Sequence, residues 1–184
     1  MKEKIEAYAK RLKLSWIREH YHEIEADNNY DYLLQLFERE IENREERKLN
    51  LLLKQAQLPK TGDQPYQWEH IQIPQGIDRD SILQGEFINK KENLILYGGV
   101  GTGKTYLATL IGLNAIHRYG TKVKFFTLAS LANKLIEANQ NGSLPRLIKQ
   151  LEKLELLILD ELGYIPLHKE GAELLFQVIS MCYE

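Results

Sequence analysis

A glycine-rich run that ends in lysine and threonine is the clearest candidate for chemistry in this sequence. Residues 98–105, Gly-Gly-Val-Gly-Thr-Gly-Lys-Thr, match the phosphate-loop pattern G-x-x-x-x-G-K-[ST] in full. Glycines let the backbone curl so that its N–H groups point at phosphate oxygens, and a helix beginning near Lys104 adds its positive dipole end. We expect Lys104 to reach the β- and γ-phosphates of a nucleotide as a catalytic residue, and the Thr105 hydroxyl to ligate Mg²⁺. The predicted nucleotide-binding residues are Gly98, Gly99, Val100, Gly101, Thr102, Gly103, Lys104, Thr105 and Tyr106.

An acidic pair follows an apolar run further along the chain. Residues 156–161 read Leu-Leu-Ile-Leu-Asp-Glu, which puts Asp160 at the carboxyl end of a buried strand, where ligands bind in open α/β sheets. We expect Asp160 to hold Mg²⁺ through water, and Glu161 to be the catalytic base that orients and polarises the attacking water. The acidic pair favours hydrolysis of the nucleotide over phosphoryl transfer to a small molecule.

The elements that must position these residues alternate between strands and helices. Short apolar runs predict strands at 94–97, 123–126 and 156–159. Amphipathic patterns predict helices at 104–117, 128–138, 145–153 and 170–183. This alternation predicts an α/β fold, a parallel sheet joined by right-handed crossovers.

The N-terminal part of the chain has a helical pattern without strands. Apolar residues recur at three- and four-residue steps over 3–27, and one long helix is predicted over 30–58. Its middle, residues 38–48, is almost all charged and is interpreted as a solvated face, with Glu40 and Arg44 at a favourable i,i+4 spacing. The Pro- and Gly-containing stretch after it predicts a linker. We therefore expect a helical domain at 1–57, a linker at 58–80 and a nucleotide-binding domain at 81–184.

Composition excludes some classes of protein. The chain has 184 residues, 43% of them hydrophobic, and a formal net charge of −2. No apolar run approaches the roughly 20 residues of a membrane span, and the first residues lack the apolar core of a secretory signal. A single cysteine, Cys182, fits a reducing cytoplasm. Because the charges nearly balance, DNA binding would need a local basic face.

Two groups of side chains raise weaker hypotheses about partners. The first group consists of basic residues, for which we consider a face that contacts DNA phosphates and, as the favoured interpretation, a solvated surface. Its members are Lys122, Lys124, Lys134, Arg146, Lys149 and Lys153. The second group consists of aromatic residues, for which we consider stacking on nucleic-acid bases and, as the favoured interpretation, core or partner contacts. Its members are Trp16, Tyr21, Tyr30, Tyr32 and Phe37.

The motifs together resemble a known family. Residues 92–108, 156–167 and 170–180, with the helical segment 33–48, are similar to the IstB-like insertion-sequence transposition helper ATPases, which are AAA+ proteins related to bacterial helicase loaders. The resemblance covers essentially the whole chain. One small departure is Gly99-Val100, where many relatives have Pro-Pro.

The resemblance implies properties that the residues alone do not. It implies ATP and Mg²⁺ as cofactors, assembly into ATP-dependent oligomers on duplex DNA, and a transposase partner, with the N-terminal helices contacting neighbours, DNA or the transposase. It also implies a P-loop NTPase sheet of AAA+ type with strand order 5-1-4-3-2, of which this chain supplies strands 1, 2 and 3. Strand 4, with its sensor residue, and the arginine finger are not present, so we expect an incomplete ATPase domain from a C-terminally truncated chain.

Three alternatives to a transposition helper stay open from the sequence. A helicase loader would share the ATPase core and prefer single-stranded DNA. A small-molecule kinase would need an acceptor pocket and no Glu161. A catalytically incomplete fragment would only bind a nucleotide or a partner.

Overall fold

The computed structural model describes residues 2–62, 66–68, 71–162 and 168–182. The chain forms two compact units, Met1–Leu51 and Leu52–Glu184, so the division lies inside the long helix. The domain boundaries expected at 57 and 80 stay predictions. Within the described part of the chain, no helix is both long and apolar enough to cross a membrane.

The first unit is helical. It contains helices α1 (Lys2–Arg11) and α2 (Ser15–His20), a 3₁₀ turn at Tyr21–Glu23, and most of helix α3 (Asn29–Ala56). The Asn28 side-chain oxygen accepts hydrogen bonds from the backbone N–H groups of Tyr30 and Asp31, both at 3.0 Å, and so caps α3. Three buried residues form the centre of its core: Ala9, Ile17 and Leu36.

A buried carboxylate ties α2 to α3. Glu40 is 3% exposed, and its Oε2 accepts hydrogen bonds from the backbone N–H groups of Trp16 (2.9 Å) and Ile17 (3.2 Å) at the start of α2. Its Oε1 accepts from Arg44 at 2.8 Å, the ion pair that the i,i+4 spacing predicts. The charged run is therefore not entirely solvated. One of its members, Glu40, is buried and accepts hydrogen bonds from backbone N–H groups at the start of α2, which lack partners within that helix.

The second unit holds the predicted α/β elements. Strands β1 (Val123–Thr127) and β2 (Leu156–Asp160) pair in parallel, from Val123 opposite Leu156 to Thr127 opposite Asp160. The helices before the sheet are α4 (Arg79–Gln84), α5 (Glu86–Asn89) and α6 (Lys104–Tyr119), and those after β1 are α7 (Leu128–Gln140), α8 (Leu144–Leu151) and α9 (Lys169–Met181). The α/β class expected from the sequence is confirmed.

Helices cover both faces of this two-stranded sheet. Alternate strand residues point to opposite faces. On one face, Phe126, Leu157 and Leu159 belong to a core that α7, α8 and α9 complete through residues such as Leu131 and Val178. On the other face, α6 packs so closely that a Cβ on Gly112 would lie 3.0 Å from the Ile158 side chain. A glycine at this point lets the helix approach the strand.

The segment at 94–97 differs from the expected buried strand. Leu94 and Leu96 pack on a cluster that includes Ile82 and Leu107, but Ile95 is 83% exposed and Tyr97 is 99% exposed. Among the described residues, no strand pairs with this segment, since β1 and β2 pair with each other. Because no described strand lies beside it, only alternate side chains of this segment are packed, and those of Ile95 and Tyr97 stay exposed.

Candidate functional site

The phosphate-loop residues connect the extended segment 94–97 to helix α6. Gly103 is the N-cap of α6, with φ of 82°, and Gly101 has φ of 77°. These are left-handed conformations that glycine adopts at little cost. They turn the chain into the helix so that α6 begins at Lys104, as the sequence predicts. The positive end of the α6 dipole therefore lies at the loop.

The Lys104 side chain folds back over this loop. Its Nζ donates to the carbonyl oxygens of Gly98 at 2.9 Å and Gly99 at 2.6 Å, and lies 3.4 Å from the Thr102 hydroxyl. The Thr102 hydroxyl donates to the Gly99 carbonyl at 2.9 Å. The half-buried Lys104, at the end of the loop, is thus joined to the start of the loop.

The two sequence motifs meet at one short hydrogen bond. The Thr105 hydroxyl on α6 donates to Asp160 Oδ2 at 2.7 Å, across 55 residues of sequence. Asp160 is the last residue of β2, and its Oδ1 accepts from the backbone N–H of Glu161 at 2.9 Å. A hydroxyl and a carboxylate in contact are hard oxygen ligands, which suit Mg²⁺ with its remaining positions filled by water and phosphate. The donor set therefore fits the predicted metal.

Glu161 takes part in these contacts only through its backbone N–H. It is exposed and has φ of 61°, a left-handed conformation that is uncommon for a residue with a side chain. The following residues 163–167, which complete the family-like segment, lie outside the described residues.

The structure contains an aromatic contact beside the loop that the sequence did not predict. The Tyr66 ring packs against the loop, since a Cβ on Gly103 would lie 3.2 Å from it, and it stacks on Tyr106 at 6.0 Å between ring centroids. The Tyr106 hydroxyl donates to the Gly62 carbonyl at 3.1 Å. Burial raises the pKa of Tyr66. No sequence pattern predicts this contact, because Tyr66 lies in a Pro- and Gly-containing stretch that is interpreted as a linker.

The candidate basic face divides into two parts in the structure. Lys124 is not available to DNA phosphates, because its Nζ donates to the Gln55 carbonyl at 2.8 Å and to Gln57 Oε1 at 2.7 Å. Burial, with the nearby Lys134 charge, lowers the pKa of Lys124. By contrast, Arg146 and Lys149 on α8 and Lys153 just after it line one groove of about 390 Å³ and form no ion pair within the described part of the chain.

Comparison with known proteins agrees with these observations. A family model described as "IstB-like ATP binding protein" matches residues 7–184. The chain is 37% identical to "Insertion sequence IS5376 putative ATP-binding protein" of Geobacillus stearothermophilus, over all of this chain and 76% of that protein. It is 35% identical to "Insertion sequence IS21 putative ATP-binding protein" of Pseudomonas aeruginosa, over 98% of this chain and 70% of that protein. Both alignments include the phosphate loop and the acidic pair.

Proposed function

The chain belongs to the family of IstB-like ATP-binding proteins, and on that premise we propose that it binds and hydrolyses Mg-ATP as a helper of insertion-sequence transposition. One observation carries the catalytic part of this proposal. The Thr105 hydroxyl lies 2.7 Å from Asp160 Oδ2, so residues from two separate motifs share one place at the end of a parallel strand and the start of a helix. Ligands bind at this edge in open α/β sheets.

The loop residues 98–106 hold the triphosphate in this proposal. Backbone N–H groups and the start of α6 supply the electrostatic attraction. Lys104 exchanges the two loop carbonyls it now contacts for phosphate oxygens, which are stronger acceptors because they are charged. In the transition state the same ammonium neutralises charge on the transferred phosphoryl group, and for that reason we include Lys104 among the catalytic residues.

Thr105 and Asp160 hold the magnesium ion, which when bound neutralises the phosphate charge. Glu161 is adjacent to Asp160 and exposed, so its carboxylate is free to accept a hydrogen bond from water. In the proposed step, Glu161 takes a proton from the water as its oxygen attacks the γ-phosphorus, and the bond from that phosphorus to the ADP oxygen breaks. ADP and inorganic phosphate are the products.

Family membership and the basic residues at α8 support the proposed partners. Both named relatives are putative ATP-binding proteins of insertion sequences, and this context supports a transposase and DNA as the proposed partners. The groove lined by Arg146, Lys149 and Lys153 supplies a local cluster of positive charge in a chain of net charge −2. We propose that the protein acts in the cytoplasm, assembles into ATP-dependent oligomers on duplex DNA and directs the transposase.

The decisive experiment measures Mg-dependent ATP hydrolysis by the full chain with duplex DNA, with single-stranded DNA and without DNA. We expect duplex DNA to stimulate turnover most, because the proposed role is at a DNA target. Stimulation by single-stranded DNA alone would instead indicate a helicase loader. No turnover with retained ATP binding would contradict the catalytic part of the proposal.

A binding measurement tests the site itself. Lys104→Ala is expected to weaken Mg-ATP binding by at least tenfold in calorimetry, because it removes the charged phosphate contact. The matched control is Lys90→Ala, which removes an exposed lysine outside the phosphate loop. Equal ATP affinity in the wild-type chain and the Lys104 variant would refute the site assignment.

A further inference from the structure

One face of α6 meets one face of β2 beside the proposed magnesium site. Thr105, Thr109 and Gly112 are spaced by four and three residues, so they lie on the same side of α6. Ile158 and Asp160 are two residues apart on β2 and therefore point to the same face of the strand. The Thr105 hydroxyl contacts Asp160 Oδ2 at 2.7 Å, and a Cβ on Gly112 would lie 3.0 Å from the Ile158 side chain. We call these five residues the α6–β2 seam.

Thr109 is the buried member in the middle of the α6–β2 seam. It is 0% exposed, and its Oγ1 donates to the backbone carbonyl of Thr105 at 2.7 Å. The same carbonyl is the α-helical acceptor for the backbone N–H of Thr109. A threonine hydroxyl that bonds back to the carbonyl four residues earlier often bends the helix. This hydrogen bond therefore acts on the turn of α6 that carries the Thr105 hydroxyl.

The Thr109 hydroxyl is not needed to satisfy the backbone. Because the Thr105 carbonyl already accepts from the Thr109 N–H, a valine of nearly the same shape would leave no polar group unpaired. Valine has a helix propensity similar to that of threonine, and it would bury a methyl group in place of a hydroxyl. Removing the hydroxyl should therefore change the first turn of α6 more than the stability of the fold. This separation points to a role in positioning.

We propose that Thr109 is a positioning residue that aims the Thr105 hydroxyl at the magnesium ion, an inference that rests on the proposed function. The hydrogen bond from Thr109 fixes the first turn of α6, and the close contact of Gly112 with Ile158 fixes the approach of α6 to β2 further along the helix. The Thr105 hydroxyl is thus held beside the carboxylate at the end of β2 before a metal binds. Residues that orient metal ligands in this way strengthen metal binding without contacting the ion.

The test compares the affinity of the full chain for a fluorescent, non-hydrolysable ATP analogue in excess Mg²⁺ with the affinity in EDTA. The ratio of the two affinities measures the contribution of magnesium, separately from the contacts of the loop with the phosphates. We expect Thr109→Val to lower this ratio by roughly tenfold and to keep the affinity in EDTA. Thr109→Ser retains the hydroxyl and should keep the wild-type ratio. The matched control Thr121→Val, at another buried threonine, should change neither affinity.

Urea unfolding of the same variants distinguishes positioning from a loss of packing. Thr109→Ser removes a buried methyl group and should have a lower urea midpoint than Thr109→Val, so the more stable variant should show the weaker response to magnesium. A wild-type ratio in Thr109→Val, the same loss in Thr109→Ser, or an equal loss of affinity in EDTA would each overturn the role of Thr109. A wild-type chain that binds the analogue equally in Mg²⁺ and in EDTA would instead contradict the proposed metal site, and this inference with it.

Discussion

At the scale of single residues, Glu161 combines two unusual properties. Its backbone is left-handed, with φ of 61°, which costs a side-chain-bearing residue about 1–2 kcal/mol, and it directly follows the carboxylate that contacts Thr105. Strained backbone of this kind is often kept where a side chain must be aimed. The strained backbone therefore supports the proposal that Glu161 is the catalytic base.

Two substitutions at Glu161 distinguish its proposed role as a base from the effect of its strained backbone on stability. Glu161→Gln should keep Mg-ATP affinity and lower the hydrolysis rate by at least about 10²-fold, because the amide cannot accept the proton of water. Glu161→Gly should lower the rate as much, yet leave the free energy of unfolding unchanged or raise it by up to about 1 kcal/mol, since glycine relieves the left-handed backbone. Steady-state kinetics and urea unfolding measure the two effects. Glu152→Gln, an exposed control, should change neither, and full activity of Glu161→Gln would exclude the proposed base.

At the scale of elements, the α2–α3 contact depends on the ionised form of Glu40. Burial by itself raises the pKa of Glu40, but the hydrogen bonds from Arg44 and from the Ile17 and Trp16 backbone outweigh it, so the pKa lies below its ordinary value. A carboxylate with a depressed folded-state pKa stabilises the fold above its unfolded pKa of about 4.3, and this stabilisation is lost as the pH falls through the folded value.

Glu40→Gln should therefore lower the free energy of unfolding of the N-terminal unit by roughly 1–3 kcal/mol at neutral pH. The difference from the wild-type chain should shrink as the pH falls below about 4. Trp16 fluorescence, recorded in a Trp68→Phe background, follows this region during urea unfolding. Glu42→Gln, which alters an exposed pair with Arg39, should cost less than about 1 kcal/mol. Equal losses in the two variants would contradict a special role for Glu40.

The basic residues on and just after α8 lead to a separate prediction about DNA binding. The triple variant Arg146→Gln/Lys149→Gln/Lys153→Gln should weaken duplex binding and reduce the slope of log affinity against log salt by about 2–3, because each phosphate contact contributes about 0.9. Mg-ATP affinity should not change. A matched triple variant at the exposed lysines 48, 54 and 60 should keep the slope. Fluorescence anisotropy at several salt concentrations measures both, and an unchanged slope in the α8 variant would assign DNA contact to another surface.

At the scale of the whole molecule, the sequence predicted best what depends on local pattern. The phosphate loop, the start of α6 at Lys104 and the position of Asp160 at the end of β2 all follow from glycine placement and apolar runs. The burial of Glu40, the Lys124 contacts with the end of α3 and the Tyr66 contact with the loop arise between segments distant in sequence. Spacing within one element carries no information about such contacts.

The segment 94–97 shows the same limit of prediction from sequence. Its apolar residues predict a strand, but they do not indicate whether another strand pairs with it. Within the described residues its backbone has no strand partner, whereas β1 and β2 are paired along their full lengths. Backbone N–H groups without such partners exchange with solvent readily. In hydrogen exchange by mass spectrometry, we therefore expect peptides covering 94–97 to exchange faster than those covering 123–127 and 156–160.

Mg-ATP should then slow exchange most at residues 98–106, where the proposed phosphate contacts lie. A ligand at 100 times its Kd stabilises the form it binds by about 2.7 kcal/mol, which is large enough to detect as protection. Residues 29–51 of α3, in the other compact unit, serve as the internal reference and should keep their exchange rates. Protection at 94–97 equal to that of β1 and β2 before nucleotide is added would show that this segment is already paired in solution, most directly by a neighbouring copy whose backbone completes the sheet.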